Sequence, residues 1–327
     1  MKKLIAAAVA TSVSAIALAD VSITGSLKTN YTHKDYQSTS VNDSDAFSHE
    51  GNLSIKGKSG DTNVVMNFGA IDASGTGTNA TGAVTSEDVY LTTKIGDVNV
   101  KMGTYDNGDN ALRASTRAPR FNATTEMGGF KLSYLNGNGG STSSDAKQND
   151  EVGISTSLGG VNVSYTAKDG GETIKASTSV GGVNVSYVGL PSDTADSDRN
   201  AIELSTEMNG VGIKLGSATA ETGTTISGDS WMGDYESAGG LEFTPLAGQD
   251  VTAVELSTSL AGNKVTFRNI SVDGYASAGK DWDMNKIIVT RPLASGATLE
   301  VTYKDINDDG STDTDMEVLD IELAVKF

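Results

Sequence analysis

The feature that most constrains this chain is a side-chain alternation of period two that keeps returning between tight-turn signals, down to the last residue. In the closing segment Leu319, Ile321, Leu323, Val325 and Phe327 fall on one face, and Asp320, Glu322, Ala324 and Lys326 on the other. Val161, Val163 and Tyr165 separate in the same way from Asn162, Ser164 and Thr166, as do Ile202, Leu204 and Met208 from Glu203, Ser205 and Glu207. Successive side chains of a β-strand point to opposite sides, so these segments read as strands with one apolar and one polar face.

The alternation is organised in repeats. GISTSL-GGVNVSY at Gly153 to Tyr165 returns 22 residues later as KASTSV-GGVNVSY at Lys175 to Tyr187, with looser copies ELSTEM-NGVGIKL from Glu203 and ELSTSL-AGNKVTF from Glu255. Each copy is a strand, a Gly- or Asn-Gly-type turn and a returning strand, because those residues accept the positive φ of a tight hairpin turn. The opposite ends of the hairpins are joined by long polar segments, among them 33–46, 72–85, 137–149, 191–199 and 220–250. Short turns at one end and long loops at the other describe an all-β, closed antiparallel transmembrane β-barrel, with short periplasmic turns and long outer loops. The direct count is eighteen strands, from 20–31 to 315–327, with sixteen as the alternative. An even number leaves both termini on the periplasmic side. Variable repeat spacing and hairpin turns argue against the other reading, a secreted β-solenoid with stacked parallel repeats.

The start of the chain agrees with export. Lys2 and Lys3 precede an apolar stretch from Leu4 to Leu18 that ends in Ala17-Leu18-Ala19 before Asp20. That order reads as a cleavable signal peptide over 1–19, shorter than the ~20 apolar residues of a membrane helix. Residues 20–327 then form one domain. Removing two lysines takes the formal charge from −18 to −20, and an acidic chain with scattered lysines offers no basic footprint for nucleic acid. There are no cysteines, so no disulfide framework supports the fold. With 37% hydrophobic residues and a mean hydropathy of −0.23, the apolar residues are distributed rather than gathered into a spanning helix.

On the apolar face Tyr134, Tyr165, Tyr187 and Tyr303 stand near the loop-ward ends of their strands, as in an aromatic girdle at the headgroup level; the competing reading is the ordinary strand preference of tyrosine. Asp305, Asn307, Asp309 and Gly310 reproduce the start of a calcium loop, but Met316 stands where a bidentate Glu is due. An acidic outer loop is the simpler account, and no other cofactor is expected. With only His33 and His49 and no nucleophile or zinc-ligand spacing around them, the chain reads as non-enzymatic.

Three stretches, DVSITGSLKTNY, DVYLTTKIGDVNVKMGTYDNGDNAL and the closing MEVLDIELAVKF, resemble the general, non-specific porins of Gram-negative bacteria. The resemblance implies an outer-membrane homotrimer of water-filled diffusion channels. It also implies that the terminal Phe327 is the signal read by the barrel-assembly machinery. In that family the loop after the fifth strand folds inward and sets acidic groups against basic ones on the facing wall. This maps onto 106–119, about fourteen residues and short for the family, with Asp106 and Asp109 on the acidic side. Strand parity supplies Lys28, Lys56, Lys94, Lys101 and Lys131 as lumen bases, while Arg113, Arg117 and Arg120 either line the constriction or anchor the loop to wall carboxylates. The expected function is passive diffusion of small polar solutes and ions, with a mild cation preference from the net charge. The alternative is a structural or adhesive surface barrel.

Overall fold

A computed structural model describes residues 20–37, 42–69, 85–106, 112, 117–137, 150–168, 170–224, 231–232, 248–273, 281–308 and 315–327. The leader lies outside the described residues. The strands are β1 Asp20–Tyr36, β2 Ser44–Ser59, β3 Thr62–Gly69, β4 Thr85–Ile95, β5 Val98–Asp106, β6 Arg117–Met127, β7 Phe130–Gly137, β8 Asp150–Leu158 and β9 Val161–Lys168. They continue with β10 Gly171–Val180, β11 Val183–Leu190, β12 Arg199–Met208, β13 Val211–Ala220, β14 Asp250–Leu260, β15 Asn263–Asp273, β16 Trp282–Pro292, β17 Thr298–Asp308 and β18 Met316–Lys326. All eighteen belong to one sheet, each paired antiparallel with its sequence neighbours. Because β1 pairs with both β2 and β18, the sheet is closed, and the direct count of eighteen holds over sixteen. Antiparallel closure also removes the solenoid.

The short turns work as their sequences require. Both central residues have positive φ in Gly128-Gly129, Gly159-Gly160, Gly181-Gly182, Asn209-Gly210 and Ala261-Gly262. This is the primed turn whose twist matches the flanking strands. Ala261, at φ 50°, is the one position among these where a β-carbon is carried without a polar side chain to compensate. At the other end β1 and β2 run on to Tyr36 and Ser44, so the first outer connection is shorter than the sequence suggested. Hydrogen bonding between paired strands carries the outer extension of this hairpin.

The outer surface is apolar where alternation placed it. Ile321, Leu323 and Val325 are exposed on one face of β18, and Val161, Val163 and Tyr165 on β9. A charged side chain on such a face costs about 2–4 kcal/mol near the bilayer midplane, so this sorting is what permits insertion. The girdle tyrosines reach upward from the belt: Tyr134 donates to Asp150 at 3.1 Å and Tyr165 to Glu172 at 2.6 Å. At the seam the C-terminal residue extends the ladder, with Gly25 N donating to Phe327 O at 2.8 Å and Phe327 N to Gly25 O at 3.0 Å. A β-carbon on Gly25 would lie 2.6 Å from Phe327 Cζ, so this glycine is the notch that receives the terminal ring.

Candidate functional site

The lumen is where the chain departs from simple alternation. On the inward positions of β13 to β18 and β1, cross-strand register aligns Gly216, Ala253, Ile270, Met284, Ile306, Met316 and Tyr36 in one row. Ala218, Val251 and Val272 follow one step further outward. These side chains are buried, Ile270 and Val272 completely. They form an apolar shelf inside the barrel, on the side of the wall that alternation assigns to water.

Three side chains from two outer connections pack on the shelf. Leu112, between β5 and β6, is fully buried within the same apolar cluster. Its carbonyl accepts a hydrogen bond from Arg199 Nη1 on β12 at 3.1 Å. Since β12 lies six strands round the barrel from β6, Leu112 stands against a part of the wall remote from the strands that flank it in sequence. Leu112 is six positions from the end of β5 at Asp106 and five from the start of β6 at Arg117, a reach of at most about 20 Å when extended. From the long connection after β13, Trp231 and Met232 dock beside it. Met232 is 2% exposed, and Trp231 Nε1 donates to Glu203 on β12. Gly216 leaves the space: a β-carbon there would sit 2.0 Å from Met232 Sδ and 3.0 Å from Trp231 Cζ2.

Directly beneath the shelf, toward the periplasm, the next inward row is basic. Lys214, Glu255, Arg268, Lys286 and Lys304 are consecutive partners across β13 to β17, and Lys34 of β1 continues the row through Val318. Glu255 holds its two neighbours, with Arg268 at 2.6 Å and Lys214 at 3.4 Å. Lys304 meets Asp320 at 3.2 Å and Lys28 meets Glu322 at 3.6 Å. Lys214 also lies over the Trp231 ring at 5.6 Å, which ties the row to the docked loop.

The residues singled out from sequence are distributed differently from the expected opposition of loop acids and wall bases. Asp109 and Arg113 lie outside the described residues. Asp106 ends β5, and Arg117 and Arg120 belong to β6; Asp106 and Arg117 are register partners, so these three stand on the wall rather than on the loop. Arg117 takes the anchoring role, bonded to Asp88 at 3.1 Å with Glu87 at 4.0 Å. Arg120 Nε donates to the Tyr105 carbonyl at 3.3 Å. Lys101 is held between the Tyr90 and Tyr105 rings at 4.0 and 3.7 Å. Lys56, Lys94 and Lys131 stand within a few residues of the turns at Gly60, Gly96 and Gly129, at the periplasmic mouth rather than around Leu112. Lys131 lines a recess of about 630 Å³ there, with Glu126, Ser155, Ser164, Lys175 and Ser186.

Asp305 and Asn307 lie on the outward face of β17, which continues to Asp308, and Asp309 is outside the described residues. Oxygens two residues apart on a strand are spaced by about 6.6–6.8 Å of backbone rather than gathered round an ion. Both histidines are also outward: His33 Nδ1 is 2.8 Å from Asp45 and His49 Nδ1 3.1 Å from Thr29. The basic row was missed from sequence although parity would have found it. The stronger signal was the run of inward apolar residues in β14 to β18, which inverts the alternation near their outer ends, where Thr252, Ser271, Asn285, Asp305 and Glu317 take the outward positions.

No family model matches the chain, and no curated protein matches it. Solved structures do. OccAB4 of Acinetobacter baumannii superposes with a TM-score of 0.64 at 11% identity, over 94% of this chain and 98% of that one. OpdQ of Pseudomonas aeruginosa gives 0.65 at 11% over 94% and 99%, and the outer membrane protein opdK of the same organism 0.64 at 12% over 95% and 99%. This is the fold of an outer-membrane porin. The barrel spans nearly the whole length of each of these proteins, so its eighteen strands and outer-membrane setting stand together. The likeness is to Occ and Opd channels rather than to the general porins that the sequence stretches resemble, and it reaches the fold alone.

Proposed function

We propose that the barrel is a water-filled pore for passive diffusion of small hydrophilic solutes, and that it favours anions. The observation that carries this reading is the basic row of the inner wall. A net charge of −20 for the mature chain suggested cations, but solutes meet the lumen. On the inward strand positions among the described residues, lysines and arginines outnumber carboxylates, while Asp45, Asp150, Glu172 and Glu317 face outward. A charge ring in a low-dielectric pore governs ion entry more strongly than distant loop charges screened within a Debye length of about 8–10 Å.

The pore is closed within one chain, so a single barrel is taken as the conducting unit. Light scattering on the detergent-solubilised protein distinguishes this from the homotrimer that the porin resemblance implies. Catalysis is not part of this reading.

Planar-bilayer recording tests it. Stepwise conductance with an anion-selective reversal potential in a salt gradient is expected, and Lys214→Gln should shift that potential toward cations. A folded barrel that does not conduct overturns the channel, and cation selectivity overturns the role of the row. Graded sugars then measure how broad the passage is.

A further inference from the structure

The sequence repeat contains more than a hairpin. In each copy a threonine stands three residues before the turn, and the structure gives it a partner in a different hairpin. Thr156 Oγ1 of β8 donates to the Gly129 carbonyl in the β6–β7 turn at 3.0 Å. Thr178 of β10 reaches Gly160 in the β8–β9 turn at 3.1 Å, and Thr206 of β12 reaches Gly182 in the β10–β11 turn at 3.0 Å. Thr258 of β14 reaches Gly210 in the β12–β13 turn at 3.1 Å, and Thr125 of β6 reaches Asp97 in the β4–β5 turn at 3.2 Å. The acceptor is each time the last residue of the turn, and the donor always comes from the later hairpin.

All five bonds bridge a strand pair that is joined at the far end by an outer connection. Within a hairpin a two-residue turn fixes the register. Between hairpins it does not, least of all across β13 and β14, which are separated by residues 221–249. The side-chain pattern leaves one error open. A one-residue slip turns apolar side chains into the lumen, but a two-residue slip preserves both faces. The residues concerned hardly distinguish the two registers: Val161 and Val163, Ile202 and Leu204, Ser155 and Ser157 are interchangeable neighbours. A threonine two residues out of place loses its carbonyl.

We propose that the S-T-x-apolar repeat is a register lock, in which the threonine of each added hairpin recognises the turn of the hairpin before it and rejects the two-residue slip. Beyond β14 the repeat stops, and inter-hairpin side-chain pairs such as Asn269 with Asn285 across β15 and β16 and Lys304 with Asp320 across β17 and β18 take over where the strands carry distinctive side chains. This inference concerns assembly and is independent of what passes through the pore.

The chain has no cysteine, so paired cysteines report register cleanly. Asn184 and Ser205 are direct partners across β11 and β12, whereas Ser186 faces Ser205 only after a two-residue slip. Direct partners lie within disulfide reach and diagonal ones about 7–8 Å apart do not. The experiment refolds Asn184→Cys/Ser205→Cys and Ser186→Cys/Ser205→Cys barrels with Thr206, Thr206→Val or Thr206→Ser, and compares crosslink yields. One net hydrogen bond of about 0.5–1.5 kcal/mol corresponds to a two- to tenfold change. Thr206→Val should therefore lower the native-to-slipped ratio by that factor, and Thr206→Ser, which keeps the hydroxyl, should restore it. An unchanged ratio in Thr206→Val overturns the proposal, as does a serine variant that behaves like valine. If the valine variant does not fold, folding of the serine variant upholds the lock and its failure refutes it.

Discussion

Replacing Gly216 with alanine should undock the loop that carries Trp231 and Met232. The added β-carbon would stand 2.0 Å from Met232 Sδ and 2.7 Å from its Cγ, with Trp231 Cζ2 at 3.0 Å. Carbon and sulfur need roughly 3.5–4.0 Å, so the methionine must recede by more than an ångström into a shelf already occupied by buried side chains. Burying a methionine is worth about 1.5–3 kcal/mol, and a hydrogen bond to a carboxylate such as Glu203 about 1.5–3 kcal/mol. Ordering the two long side chains returns about 1.5–2 kcal/mol each. The docked state is thus favoured by at most about 3 kcal/mol, which one methyl clash of about 1–3 kcal/mol removes. In a Trp282→Phe background Trp231 is the sole tryptophan, because the chain has two. Its emission should shift to the red in Gly216→Ala, and single-channel conductance should rise as the loop leaves the lumen. Gly212→Ala is the control on the same strand, since its β-carbon meets only the Ser257 hydroxyl at 2.7 Å and its carbonyl at 3.7 Å. Unchanged emission and conductance in Gly216→Ala, with Met232 still protected, would refute the docking argument.

Arg199→Met removes the donor to the Leu112 carbonyl, a charged hydrogen bond worth about 1.5–3 kcal/mol, and should make residues 107–116 cleavable by trypsin while the barrel stays resistant. Gly25→Val fills the notch under Phe327 and should lower stability by about 1–3 kcal/mol in urea unfolding from lipid vesicles; full stability would mean that the terminal ring rests elsewhere. Ala261→Gly relieves a left-handed alanine and should raise the unfolding free energy by about 0.5–1 kcal/mol in the same measurement. Calcium titrated into the folded barrel should release no heat, given the strand spacing of Asp305 and Asn307, and a signal abolished by Asp305→Ala would restore the calcium-loop reading.

Strand existence, number and sidedness were legible because they depend on local rules. Period two, a residue that accepts positive φ and a long polar connection are each written in a few consecutive residues. The site was less legible because it depends on what lies across the lumen. Nothing near Leu112 announces that its carbonyl will meet Arg199, 87 residues away. Reading Asp106 and Arg117 as loop residues failed for a related reason: their pairing extends the β5 to β6 ladder outward, and polar composition alone does not reveal a ladder. Met316 and Val318 did carry a sign, since they are apolar at positions where alternation demands polarity, and such exceptions mark the places where a lumen is filled.

That filling divides the barrel mechanically. A wall with lipid on one side and water on the other has exchangeable backbone amides on its wet side. From β13 to β18 the outer half of this wall has polar side chains such as Thr252, Ser271, Asn285 and Glu317 on one side and a packed apolar interior on the other, so it behaves as a thick plate. The serine-lined arc of β8 to β11 is a thin membrane by comparison. The apolar packing on the shelf thus stiffens one side of the ring, with the basic row along its lower edge, while the serine-lined arc has no such backing among the described residues.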